Sequence, residues 1–228
     1  LPDKLLLTNT VTSGLEQYLS IITYQAAATI TERINSNYAY LQALTNDMAF
    51  YDVTGNRDKI IDQIARVQQQ GGFFDVMVSD TKGNAYSLRA KNIDIGERDY
   101  FKAAVSGTNY VSDPLYRDGD DYLVIVFSVP IRNGSDKIIG TISAVTDAYQ
   151  FTDMIKDITY GKTGYAYIIN NTGVTIAHPT KELVSQFDND LERVKTDKAL
   201  ESVVRIEKKM VKGEKGVGSY TYNGVKKH

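Results

Sequence analysis

Between residues 10 and 48 there is no proline and one glycine, Gly14. Apolar residues recur there at Leu15, Tyr18, Ile22, Ala26, Ile30, Ile34, Tyr38, Leu41, Leu44 and Met48, in steps of three or four. That spacing lays one apolar stripe along an α-helix. A single helix of this extent is roughly 58 Å long, more than one small domain needs. Either it breaks into two helices, or one rod carries two smaller units. The lack of any helix breaker favours the rod.

The rest of the chain reads as short helices and strands. Residues 52–57 form a polar turn, and 58–70 a helix carrying Ile60, Ile61, Ile64 and Val67 before Gly71 and Gly72. Residues 73–79 and 85–89 are strand-like around the turn-forming 80–84. A short helix over 97–106 ends at Gly107, a C-cap residue. The nearly all-apolar 122–131 predicts a strand covered on both faces. Asn133-Gly134 turns it into a return strand over 137–146, and a helix follows over 149–158. Residues 165–170 and 174–178 repeat the strand, polar bend and glycine of 76–83, which points to two related modules. A helix over 197–211 and a strand over 216–222 complete the second, a thin sheet by itself.

Composition excludes several functions. With 26 basic and 28 acidic residues there is no charge excess for nucleic acid or an anionic membrane surface. No cysteine is present, so disulfides and thiolate metal sites are ruled out. With 2 histidines, His178 and the terminal His228, no metal site is expected. His178 reads as a packing or hydrogen-bonding residue. No GxSxG, HExxH or GxxxxGK[ST] occurs, so neither catalysis nor a cofactor is expected. No apolar run is long enough to cross a bilayer. The opening Leu1-Pro2 reads as an excised piece of a membrane protein, or a processed secreted one.

The candidate chemistry starts at Arg98. A guanidinium offers a carboxylate a planar, always charged fork, and Tyr100 and Phe101 follow directly. The alternative is an ordinary surface arginine pairing with Glu97 or Asp99. Asp147 ends the strand over 137–146, where a carboxylate can balance an ammonium group or cap the following helix. Tyr116 and Tyr122 flank Arg117-Asp118-Gly119-Asp120-Asp121, as a pocket lid or as the sides of a solvated loop. The acids in that loop fail the twelve-residue calcium pattern.

Four stretches carry a family resemblance: RDYFKAAVSG at 98–107, YVSDPLY at 110–116, GTISAVTDA at 140–148 and GKTGYAYIINNTGVTIAHP at 161–179. With the long helix, they resemble the extracellular double Cache (tandem PAS-like) sensor domains of bacterial receptors, methyl-accepting chemotaxis receptors above all. The resemblance implies an α+β fold in which a long N-terminal helix over 1–50 carries two PAS-like antiparallel-sheet modules. These are a membrane-distal, ligand-binding module over 51–158 and a membrane-proximal one over 159–228, expected to lack its last strands. It implies that Arg98 and Tyr100, where the family usually has Trp, take a ligand carboxylate beside Phe101. Tyr116 and Asp147 would take an amine. A further family tyrosine would fall at Ile93, so the amine half is incomplete and a simple organic acid stays open as ligand.

The expected function is the extracytoplasmic sensor domain of a membrane-anchored chemotaxis receptor. It would bind a small carboxylate-bearing metabolite, by preference an amino acid, and dimerise through the long helix. The alternatives are the sensor of a histidine kinase or diguanylate cyclase binding an organic acid, or a ligand-free dimerisation module.

Overall fold

The computed structural model describes residues 2–117, 119, 121–160, 164–222 and 224–227. Helix α1 (Pro2–Thr45) is continuous, beginning earlier than the apolar stripe alone indicates. The chain divides into two compact units, Thr31–Gln150 (the sheet unit) and Leu1–Ile30 with Phe151–His228 (the hairpin unit). Among the described residues no helix is long and apolar enough to cross a membrane.

The sheet unit contains a one-turn 3-10 helix (Met48–Tyr51), α2 (Arg57–Gly71), β1 (Asp75–Asp80), β2 (Asn84–Ser87), β3 (Ile93–Asp94), α3 (Asp99–Val105), β4 (Tyr110–Val111), β5 (Leu115–Tyr116), β6 (Leu123–Arg132) and β7 (Ile138–Asp147). The strands form one antiparallel sheet in the order β3-β2-β1-β7-β6-β4, with β5 also on β6. The apolar 122–131 becomes β6, an interior strand between β7 and the edge strands β4 and β5. Residues 73 and 74 stay outside β1, which starts at Asp75.

One face of the sheet meets the helices. Ile60, Ile64 and Val67 on α2 are buried, and α2 packs on β1. Phe127 of β6 is fully buried and meets Tyr38 of α1 edge-to-face, centroids 5.9 Å apart. Tyr86 of β2 donates its hydroxyl to the Val53 carbonyl at 2.8 Å. The opposite face takes α3, which packs on β6, β7 and β4. It ends as expected at Gly107, whose φ is 101°. The Gly107 N–H donates to Ala104 O at 2.9 Å and Thr108 N–H to Ala103 O at 3.1 Å, a Schellman closure.

Buried hydroxyls pair between strands. Ser79 and Thr141 lie opposite each other with oxygens 2.8 Å apart, and Ser128 and Ser143 do the same. Gly140 of β7 lies opposite Asp80 of β1, and a Cβ there would press on the Ser79 carbonyl oxygen. Gly140→Ala is therefore expected to cost about 2–3 kcal/mol, by overpacking against main chain that cannot yield. Urea denaturation followed by circular dichroism checks this.

The hairpin unit contains α4 (Gln150–Ile155) from its second residue onward, β8 (Thr159–Tyr160), β9 (Gly164–Tyr165), β10 (Ile168–Ile169), β11 (Thr175–Ala177), α5 (Lys181–Ser185), α6 (Asp190–Arg193), α7 (Glu201–Met210), β12 (Tyr220–Tyr222) and β13 (Val225–Lys227). Its strands pair as three short antiparallel hairpins. The strand expected over 165–170 is split between β9 and β10. The helix expected over 197–211 opens as a 3-10 turn, Lys198–Leu200, before α7. The repeat seen in the sequence has a common turn. Asp80 accepts main-chain N–H bonds from Lys82 and Asn84, with Gly83 at φ 89°. Asn170 does the same for Thr172 and Val174, with Gly173 at φ 88°. A short side-chain acceptor followed by a left-handed glycine closes each turn.

Candidate functional site

The face of the sheet under α3 carries Met77, Ala85, Val124, Val126 and Val145. Tyr100 and Phe101 of α3 are buried against them, so both rings form an apolar floor. Arg98 is the N-cap residue of α3, half-buried, with extended backbone at φ −74° and ψ 135°. Its carbonyl accepts from Phe101 and Lys102 N–H, which ties its main chain to the helix start. Its side chain does not cap the helix. Glu97 binds Lys102 at 2.8 Å.

Asp147 pairs with Val124, a floor residue, and so faces the same side. Its Oδ1 accepts the Tyr149 N–H at 2.9 Å, so it also holds the start of α4.

The structure adds Asp75, which sequence reading passed over. It lies opposite Val145 in the register and two residues from Met77, on the floor face. Asp147 is its diagonal neighbour, roughly 7–8 Å away for such positions. Asp75 is buried, and its Oδ1 accepts the Val76 N–H at 3.0 Å. Burial raises its pKa, opposed by the Ser87 hydroxyl and by the charges of Arg89 and Arg117. The available signal was an acid inside the otherwise apolar FFDVMV. Tyr110 of β4, opposite Ser128, is a second addition. Its hydroxyl is pushed up by burial and by Asp113 and Asp99.

Tyr122 is 61% exposed at the same end of the sheet as Asp75 and Asp147. Its ring meets Phe74 edge-to-face at 6.1 Å and lies 5.5 Å from the Arg117 guanidinium. Tyr116 is 44% exposed and pairs with Leu123, so it projects to the face away from the floor. The structure thus brings Tyr100, Phe101 and Asp147 to one face, starts the helix packed on that face at Arg98, sets Tyr122 at the same end and turns Tyr116 away. Asp118 and Asp120 of the acidic loop lie outside the described residues, as does His228. His178 is buried, and its Nδ1 accepts the Thr180 N–H at 2.9 Å. Among the described residues no cluster of three or more acids and histidines could hold a metal.

A cation at a helix start, an aromatic and aliphatic floor and two carboxylates at one end suit a small ligand carrying both charges. The fold with such a face on a long-helix mount defines an α+β Cache module of PAS-like type. The chain belongs to the Cache domain family, whose model matches residues 5–227. It is 25% identical over 158 residues to the methyl-accepting chemotaxis protein McpA of Bacillus subtilis, a match covering 67% of this chain and 21% of that receptor. Among solved structures, the ligand-binding domain of the Pseudomonas fluorescens chemoreceptor CtaA, in complex with L-alanine, is similar at TM-score 0.70 and 14% identity, covering 93% of this chain and 87% of that one. That of Campylobacter jejuni chemoreceptor Tlp3, in complex with 4-methylisoleucine, has TM-score 0.69 and 16% identity, covering 91% and 81%. That of the Pseudomonas aeruginosa amino acid chemoreceptor PctB, in complex with L-arginine, has TM-score 0.69 and 17% identity, covering 93% and 85%.

Proposed function

We propose that this chain is the extracytoplasmic sensor portion of a membrane-anchored bacterial chemoreceptor, a binding module rather than an enzyme, and that its sheet unit is the membrane-distal module that takes an amino acid. The observation that carries the reading is the shared face of Tyr100, Phe101, Asp75 and Asp147, with Arg98 at the start of the helix packed on it. Arg98 grips the ligand carboxylate as a bidentate donor. Asp147 and Asp75 balance the ammonium group, and the rings hold the carbon skeleton. The amino acids in complex with the similar ligand-binding domains support this ligand class. Binding then biases a two-state signalling equilibrium through differential affinity for its states. In the receptor, α1 pairs with a second copy, a role supported by exposed Tyr18, Ile21 and Tyr24 on it.

The test is calorimetry with the common L-amino acids beside acetate and lactate. At least one amino acid is expected to bind on the order of tenfold or more tighter than either simple acid, a difference of about 1.4 kcal/mol. Equal binding of a simple acid would remove the carboxylates from the site. No binding by any amino acid would remove the reading.

A further inference from the structure

The hairpin unit holds a buried acid for which the reading above has no use. Glu207 lies on the side of α7 that carries buried Val203 and Val204, and is itself 3% exposed. Its Oε1 accepts the Tyr167 hydroxyl at 3.2 Å. Its Oε2 is buried with no hydrogen-bond partner among the described residues. A buried carboxylate oxygen in that condition calls for a proton or a cation.

The surroundings supply acceptors and little positive charge. Asp188 and Asp190 add negative potential at Glu207. The nearby guanidinium, Arg193, is bound to those two carboxylates at 2.9 and 3.2 Å. Tyr165, Glu207 and Tyr222 lie close enough to Tyr220 to raise its proton affinity, and Tyr222 does the same to Tyr165. Tyr165 is 45% exposed, so the cluster opens to solvent on its side. The Lys227 ammonium, 5.4 Å from the Tyr165 ring, already places one cation there.

We propose that Glu207, Tyr167 and the hydroxyls of Tyr165, Tyr220 and Tyr222 form a second binding site, and that it takes a small primary ammonium compound. The ammonium N–H groups donate to Glu207 Oε2 and to the tyrosine oxygens. A quaternary ammonium ion has no N–H and leaves the orphan oxygen unmet. Burial, with the Asp190 charge, pushes Glu207 up to about 7. The cation therefore displaces a proton, and affinity rises by about tenfold per pH unit below that value before levelling off. His178 meets Tyr165 and Tyr167 at centroid distances of 5.0 and 6.1 Å, but burial lowers its pKa away from that window.

The experiment is calorimetric titration of the whole chain with ethylammonium chloride, and with tetramethylammonium chloride for comparison, at about pH 6 and about pH 8. Ethylammonium is expected to bind at least about tenfold tighter at the higher pH, and tetramethylammonium not to bind. Glu207→Gln should lose binding at both pH values. Should Glu207→Gln fail to fold, Tyr167→Phe keeps the ring and should weaken binding by about tenfold. No heat from ethylammonium with the wild type at the higher pH would overturn the proposal. So would unchanged binding by Glu207→Gln or, in its place, by Tyr167→Phe.

Discussion

Arg98→Ala is expected to weaken amino-acid binding by about a hundredfold while leaving the melting temperature almost unchanged. A hydrogen bond to a charged group contributes about 1.5–3 kcal/mol, and a bidentate fork makes two such bonds with shared geometry. A loss near 3 kcal/mol corresponds to about two decades in Kd. Stability should hold because the start of α3 is tied by the Arg98 main chain, with no cap bond from its side chain. Arg98→Lys keeps the charge but not the fork and should fall between, at about tenfold weaker. Methyl esters complete a double-mutant cycle. An ester has already lost the carboxylate, so its weak binding should be nearly indifferent to Arg98→Ala. Calorimetry with the best-binding amino acid and its ester reads all four corners. Equal affinity of wild type and Arg98→Ala for the free acid would remove this side chain from the site.

The largest loss of stability is expected from Phe127→Ala. Phe127 is fully buried in β6, against Tyr38. Truncating a buried phenylalanine costs about 3–5 kcal/mol, because strands and helix cannot close the cavity. Phe127→Leu should cost less than half as much. The chain contains no tryptophan, so urea denaturation is best followed by circular dichroism. The chain has two compact units, so the loss should appear in the step that melts the sheet. Tyr38 provides a local reporter. Burial, with Tyr110, pushes its hydroxyl up to about 12. Opening the cavity should bring its alkaline titration down towards the ordinary tyrosine value.

Local patterns carried much of the fold. The three-and-four spacing from Leu15 to Leu44 announced α1, while its last step, Met48, falls in the 3-10 turn beyond the helix, and the apolar run at 122–131 announced an interior strand of the sheet. Gly107 marked the end of α3 before its Schellman bonds were seen. What local pattern could not carry was pairing. Asp75 reads as a break in an apolar strand until the register sets it opposite Val145, beside Asp147. Ser128 and Ser143 read as polar intrusions until their oxygens are seen to satisfy each other. Tyr116 and Leu115 are neighbours in the chain, but the pleat sends them to opposite faces. In the hairpin unit, strands of two or three residues are too short for a period of two to declare itself, so 165–170 read as one strand where there are two. The importance of Arg98 came from the resemblance of RDYFKAAVSG and its neighbours, since an arginine before a helix is otherwise commonplace.

The paired hydroxyls between β1, β7 and β6 limit how this domain can respond to anything. Sliding β7 by one residue would strand Ser79, Thr141, Ser128 and Ser143 away from their partners, and each orphaned buried group costs about 1–3 kcal/mol. Together those penalties rival the whole stability of an ordinary domain. The three strands are riveted in place, so a message passing through the sheet unit has to travel in the helices and loops fastened around them.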